Sequence, residues 1–262
     1  MNNAPIGILD SGFGGLSIYK SIISLLPRES TVYIGDHAHI PYSDKSPKYI
    51  HSRINSLIRF FLSKKVKLVV IACNTATVAG IDIYRTAFPG LPIIGVVPVV
   101  KTAAEMTRKK SFAVLSTNFT ARSAYQHNLI HTFASNCHVY NLGGHSLVDL
   151  VERGEVAGQN VERELRTILT PQILRDIDVI ALGCTHYPFL RETIRSIVGN
   201  QVTILDSGGA VARQVEKILR HNQICGDGNP VHDFYSTSED GSLSAVASQL
   251  LSTPVRVRYE YV

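Results

Sequence analysis

The sequence predicts an α/β protein of two pseudo-symmetric open parallel-sheet domains facing each other across a central active-site cleft. Three observations lead there. Short apolar, β-branched runs alternate with amphipathic segments along the 262 residues, the pattern of parallel strands joined by right-handed helical crossovers. Two of the runs end alike, one in Cys73-Asn74-Thr75-Ala76 and the other in Gly183-Cys184-Thr185-His186-Tyr187-Pro188. The spacing also repeats, with Cys73 lying 63 residues after Asp10 and Cys184 lying 67 after Thr117. That is the mark of an internal duplication with one cysteine in each half. The first domain is expected to combine residues 1–97 with 207–262, and the second to span 98–206.

The elements follow in order. Residues 6–9 read as a strand, Asp10-Ser11-Gly12-Phe13-Gly14-Gly15 as a glycine-rich turn, and 16–26 as an amphipathic helix stopped by Pro27. Such a turn offers backbone amides to an anion. Its G-x-G-G spacing fails the dinucleotide fingerprint. Residues 31–35 form a second strand, followed by Asp36-His37-Ala38-His39. No third His or Cys at a regular spacing accompanies these histidines, so a surface loop is expected rather than a metal site. A helix over 47–63 leads to the strand before Cys73, then come a helix over 74–88 and a strand over 91–95.

The pattern restarts with a strand at 111–115, a polar turn at 116–120 and a helix over 121–133. A strand at 137–141 and helices over 145–152 and 160–169 precede the strand before Cys184. Pro188 suits the first turn of a helix running to 198. A strand at 202–205 and a helix opened by Asp206-Ser207-Gly208-Gly209 complete the repeat. Residues 221–229 form a loop, and a strand, a helix and a strand between 233 and 259 are expected to pack back onto the first half.

Composition bounds the function. Apolar content of 45% and charged content of 18% suit a globular protein. The formal charge of +5 permits attraction to anions. Its basic residues are scattered, with Lys64-Lys65 and Arg108-Lys109-Lys110 as short solvated clusters, and no nucleic-acid motif accompanies them. Nucleic acid is therefore not an expected partner. Neither a signal peptide nor a run of membrane-spanning length is seen, and Cys73, Cys137, Cys184 and Cys225 form no C-x-x-C pair. A reducing cytoplasm and no membrane contact are expected.

Each cysteine at a strand end has two readings. It is a small buried hydrophobe, or a reactive thiol whose thiolate a helix N-terminus favours. Asp10 likewise is either a turn residue or an assisting acid. The recurrence of the pair favours the reactive reading. Two thiols on opposite faces of one carbon can remove a proton from one side and return one to the other, whereas a thiol hydrolase needs a single nucleophile, a base and an oxyanion hole. A free thiol ionises near pH 8.5, so each needs help. Asp10 and His186 are suited to give it. Ser11, Asn74, Thr75, Thr117, Thr120 and Thr185 supply hydroxyls and amides for carboxylates and an ammonium without a metal.

Taken together, Asp10-Ser11-Gly12-x-Gly14-Gly15, Pro41-Tyr42, Cys73-Asn74-Thr75-Ala76, Thr117-x-x-Thr120 and Gly183-Cys184-Thr185-His186-Tyr187-Pro188 resemble the cofactor-independent glutamate racemases of the aspartate/glutamate racemase superfamily. The resemblance runs in order from about residue 5 to residue 220. It implies interconversion of L- and D-glutamate, supplying D-glutamate for bacterial peptidoglycan, with no cofactor and no metal, in a homodimer. By matching motif it makes Cys73 and Cys184 the acid/base cysteines, Asp10 and His186 their assistants, and Glu152 a third assisting acid on a looser motif that equally fits a solvated helix residue. Substrate binding falls on Asp10, Ser11, Tyr42, Ser43, Asn74, Thr75, Thr185 and His186, with Thr117 and Thr120 added.

The chain departs from the family in having Ser43 where Pro-Tyr-Gly is usual, and in His37 and His39. An aspartate racemase or another two-cysteine racemase is the nearest alternative, since one methylene is worth only about 1–3 kcal/mol of discrimination. A DNA gyrase-binding regulator is a further one, against which the full pair of thiols stands.

Overall fold

A computed structural model describes residues 2–144 and 146–262 and divides the chain into two compact units, residues 1–96 with 208–262, and residues 97–207. The first unit opens with β1 (Ile6–Asp10), α1 (Leu16–Leu25), β2 (Thr31–Gly35), α2 (Pro47–Ser63), β3 (Leu68–Ile71), α3 (Asn74–Ala87) and β4 (Ile93–Gly95). The second contributes α4 (Val100–Met106), β5 (Ser111–Thr117), α5 (Asn118–Arg122), α6 (Ala124–Phe133), β6 (His138–Gly144), α7 (Ser146–Glu152), α8 (Gln159–Ile168), α9 (Pro171–Asp176), β7 (Val179–Gly183), α10 (Arg191–Val198) and β8 (Thr203–Leu205). The chain returns to the first unit with α11 (Gly208–His221), β9 (His232–Ser236), α12 (Leu243–Leu251) and β10 (Val257–Tyr259).

Both sheets are wholly parallel, as the alternation of elements predicts. The first has the order β10-β9-β2-β1-β3-β4 and the second β6-β5-β7-β8. The duplication is visible in this topology. In each unit a central pair, β1 with β3 or β5 with β7, is flanked by the strand after the first member and the strand after the second. β9 and β10 extend the first sheet beyond β2, so the last residues do pack onto the first half.

The strand cores explain themselves. Ile8, Leu9, Val69, Val70 and Ile71 are inaccessible in the first sheet, and Phe112, Ala113, Val114, Ile180 and Ala181 in the second. Strands covered by helices on both faces need apolar residues at successive positions rather than alternate ones. α2 starts where Ser46 accepts a hydrogen bond from the Tyr49 amide, with Pro47 in its first turn. It buries Ile50, Ile54, Leu57, Ile58 and Phe61 at helical spacing.

Several expectations change. Residues 116–120 do not form a polar turn. β5 runs to Thr117, whose side chain caps the short α5, and Ser123 caps α6, splitting the expected 121–133 helix in two. α4 and α9 were not anticipated, because seven and six residues carry too little periodicity to read. α4 nevertheless buries Val100, Ala103 and Ala104 in a cluster with Phe112, Val114, Val179 and Ala181. Pro188 belongs to a 3₁₀ turn, Tyr187–Leu190, and the α-helix begins only at Arg191. His37 and His39 form another short 3₁₀ turn after β2 rather than an irregular loop. His145, expected to begin a helix, lies outside the described residues. Among those residues no helix is long and apolar enough to cross a membrane.

Candidate active site

The carboxyl ends of β1 and β3 build the surroundings of the first thiol. Asp10 closes β1 and Oδ1 accepts hydrogen bonds from the Gly12 amide at 2.9 Å and the Ser11 hydroxyl at 3.3 Å. The turn role proposed for Asp10 is therefore real. Gly15 is required here, since a Cβ on it would lie 2.7 Å from the Asp10 Cβ. Leu9 pairs with Ile71 in the parallel ladder, so two residues further on Ser11 stands beside Cys73. Ser11 Oγ is 3.7 Å from Cys73 Sγ.

Cys73 has extended backbone angles and is the N-cap residue of the 14-residue α3. The positive end of the helix and the open amides of its first turn thus lie at the thiol. Asp10, Ser11, Cys73, Asn74 and Thr75 are all buried, and the Asn74 side-chain amide donates to the Val96 carbonyl at 3.4 Å. α3 is interrupted at Gly80, where the freed Ala79 carbonyl accepts a hydrogen bond from His51 Nε2 at 2.8 Å.

Tyr42 and Ser43 lie in a 3₁₀ turn, Tyr42–Asp44. The Tyr42 side chain is buried and its hydroxyl donates to Asp36 Oδ2 at 2.6 Å. Burial, together with the negative charges of Asp36 and Cys73, pushes the pKa of that hydroxyl well above its ordinary value. It therefore remains a donor, directed at Asp36. Ser43 Oγ donates to Asp44 Oδ1 at 3.2 Å.

The ends of β5 and β7 build the surroundings of the second thiol in the same way. Ser116 pairs with Gly183, which brings Thr117 beside Cys184 as Ser11 is beside Cys73. Thr117 Oγ1 accepts from the Thr120 amide and donates to Thr120 Oγ1, each at 3.2 Å. Cys184, Thr185 and His186 are buried. The expected α-helix N-terminus is not at this thiol, because the 3₁₀ turn intervenes. An imidazole takes that place.

Cys184 Sγ lies 3.7 Å from His186 Nδ1, and His186 Nε2 lies 2.5 Å from Glu152 Oε1. Burial alone would push the imidazole pKa down. The hydrogen bonds and charges of Cys184 and Glu152 outweigh it and hold His186 well above its ordinary value. Glu152 is thus no solvated helix acid. It lies 34 residues before the histidine it orients.

Sequence reasoning passed over two groups here. Asp36, read only with its neighbouring histidines, anchors Tyr42. The fully buried Tyr187 hydroxyl donates to the Ser116 and Gly144 carbonyls at 3.3 and 3.4 Å, bracing the turn after Cys184. Tyr187 stands within the quoted motif, whereas nothing local marks Asp36. Among the described residues no three His, Cys, Asp or Glu side chains gather as a metal site.

Each unit thus ends a central strand in a buried thiol with a polar partner of its own, Ser11 at Cys73 and His186 at Cys184. The Asp/Glu/hydantoin racemase family matches residues 6–215, and the chain belongs to that family. It is accordingly an isomerase. Its relatives include a glutamate racemase of Pseudomonas putida, 41% identical over 91% of this chain and 90% of the relative. A glutamate racemase isoform of Bacillus anthracis superposes with a TM-score of 0.90 at 32% identity, covering 99% of this chain and 98% of the other. The glutamate racemase of Francisella tularensis in complex with D-glutamate gives 0.86 at 31% identity, covering 100% and 98%.

Proposed function

We propose that this racemase interconverts L- and D-glutamate by two-base proton transfer at Cα, with Cys73 and Cys184 as the bases. The observation that carries the reading is the repetition of a buried thiol at the ends of equivalent strands, Cys73 opposite Ser11 and Cys184 opposite Thr117 as the parallel ladders run on. A single nucleophile would need no duplicate.

In one direction a cysteine thiolate takes the α-proton and becomes a thiol. The electron pair left on Cα is delocalised into the α-carboxylate. The other cysteine, as thiol, gives its proton to the opposite face and becomes the thiolate. The reverse direction exchanges the two roles. Cys73 draws on the α3 N-terminus and on Asp10 and Ser11. Cys184 draws on His186, whose raised pKa keeps an imidazolium beside the thiolate and which Glu152 orients.

The amides and side chains of Ser11, Asn74, Thr75, Thr185 and His186, with Asp10, Tyr42, Ser43, Thr117 and Thr120, bind the carboxylates and the ammonium. Glutamate rather than aspartate follows from the relatives, which carry the name glutamate racemase at this level of identity. The same reading assigns the enzyme to the cytoplasm as a homodimer that supplies D-glutamate for peptidoglycan.

The experiment is L-glutamate in D₂O with purified protein and no added cofactor, followed by circular dichroism and by NMR of Cα deuteration, with L-aspartate beside it. Decay of ellipticity with Cα deuterium, lost in both Cys73→Ala and Cys184→Ala, supports the reading and ranks the substrates. Persistent optical activity of glutamate in the folded protein overturns it.

A further inference from the structure

The end of the first unit's second strand carries a buried carboxylate that the two-cysteine chemistry does not use. Asp36 is inaccessible to solvent, and its backbone amide donates to the Asp10 carbonyl at 2.9 Å. It is thereby tied to the turn that presents Ser11. Its side chain collects donors from three other segments. The Tyr42 hydroxyl reaches Oδ2 at 2.6 Å, Arg53 of α2 reaches Oδ2 through Nε at 3.0 Å and Oδ1 through Nη2 at 2.9 Å, and the Thr237 hydroxyl reaches Oδ1 at 2.9 Å. Arg53 Nη1 also donates to the Val262 carbonyl at 2.9 Å.

A carboxylate at this depth persists as an anion only when its charge is paired and its lone pairs are occupied. A two-pronged guanidinium supplies the charge and fixes the carboxylate's plane, which a lysine ammonium does less well. With the plane fixed, one lone pair of Oδ2 is left for Tyr42. Asp36 therefore holds the Asp10 turn by its backbone and the Tyr42 turn by its side chain.

We infer that Arg53 and Asp36 are positioning residues for the reaction, a clamp that sets the Tyr42–Ser43 backbone against the substrate. The inference rests on the reading above in which Tyr42 and Ser43 contact glutamate. Arg53 touches no reacting atom and acts through Asp36.

The test is steady-state racemisation in both directions by wild type, Arg53→Gln, Arg53→Lys and Tyr42→Phe, with circular dichroism and thermal melting alongside. Arg53→Gln should raise KM about tenfold with kcat held within about threefold, the signature of lost ground-state positioning. Arg53→Lys should restore KM only in part, to between wild type and Arg53→Gln, because an ammonium again pairs the Asp36 charge but does not fix its plane. Tyr42→Phe keeps the Arg53–Asp36 pair and removes only the link, so it should raise KM about fivefold. It decides the matter if Arg53→Gln does not fold.

A lowered melting temperature with unchanged KM, or a fall in kcat at constant KM, overturns the clamp. Wild type inactive on both enantiomers overturns the racemase reading itself, a result distinguishable from a failure confined to the variants.

Discussion

The surroundings of Cys73 and Cys184 share a backbone plan and differ in chemical company. Each thiol follows the second strand of a central parallel pair, opposite a hydroxyl-bearing residue at the end of the first, Ser11 or Thr117. At Cys73 the support is the first turn of α3, which starts at the thiol and runs unbroken only to Gly80, with Asp10 reached through Ser11. At Cys184 the α-helix is displaced to Arg191, and a buried imidazole and a half-buried carboxylate take over. The duplicated topology preserved where a thiol is presented, while the means of stabilising its charge diverged. Peptide dipoles serve one side and a titrating side chain the other.

Removing either thiol tests what the halves share. Cys73→Ala and Cys184→Ala should each lower kcat by about 10³-fold or more, since each removes one of the two proton carriers of the proposed mechanism. A variant retaining racemisation within tenfold of wild type would break the equivalence of the halves.

His186→Gln tests the difference. It should lower kcat/KM by about 100-fold, equally from L- and D-glutamate, because enantiomers have an equilibrium constant of one. Alkylation by iodoacetamide, read residue by residue by mass spectrometry, separates the sides. Glu152→Gln should slow modification of Cys184 about tenfold through the weakened imidazolium while leaving Cys73 unchanged. Equal slowing at both cysteines would erase the distinction drawn here.

The titrating side should also make stability depend on pH. The folded-state pKa of His186 is raised from its ordinary value of 6.5. Its stabilising contribution is therefore complete below the unfolded value and is lost as pH rises through the folded one. The gap in melting temperature between wild type and His186→Gln should be widest below the ordinary value of 6.5 and narrow as the pH is raised above it. A gap that widens with pH would refute the sign.

The smallest effect concerns capping. Thr117 caps α5 with its side chain and Thr117→Ala should cost about 1 kcal/mol. Cys73 makes no side-chain capping bond at α3. Cys73→Ala should accordingly shift the melting temperature less than Thr117→Ala does.

Much of this was legible in the order of residues. The runs around Ile8, Val70, Val114 and Ile180 had to be buried strands, because β-branched residues in short blocks between glycines, prolines and helical periods fit little else. The repeated Cys-Asn-Thr and Cys-Thr-His grammar located both thiols. Thr31–Gly35, Pro47–Ser63 and the return of the final strands to the first sheet were also readable.

What the sequence left open turns on contacts that span tens to hundreds of residues. Glu152 meets His186 across 34 residues and Thr237 meets Asp36 across 201. No local period encodes either meeting. The same holds for α4, too short to show a periodicity but secured by its packing on Phe112 and Val179. By itself the sequence determined the strands, the longer helices and where the thiols stand, because hydrophobic spacing and turn chemistry act over a few residues. Only the tertiary structure decided which charges face one another, because the desolvation that makes a buried Asp36 or His186 depend on a partner arises only once the chain has closed around it.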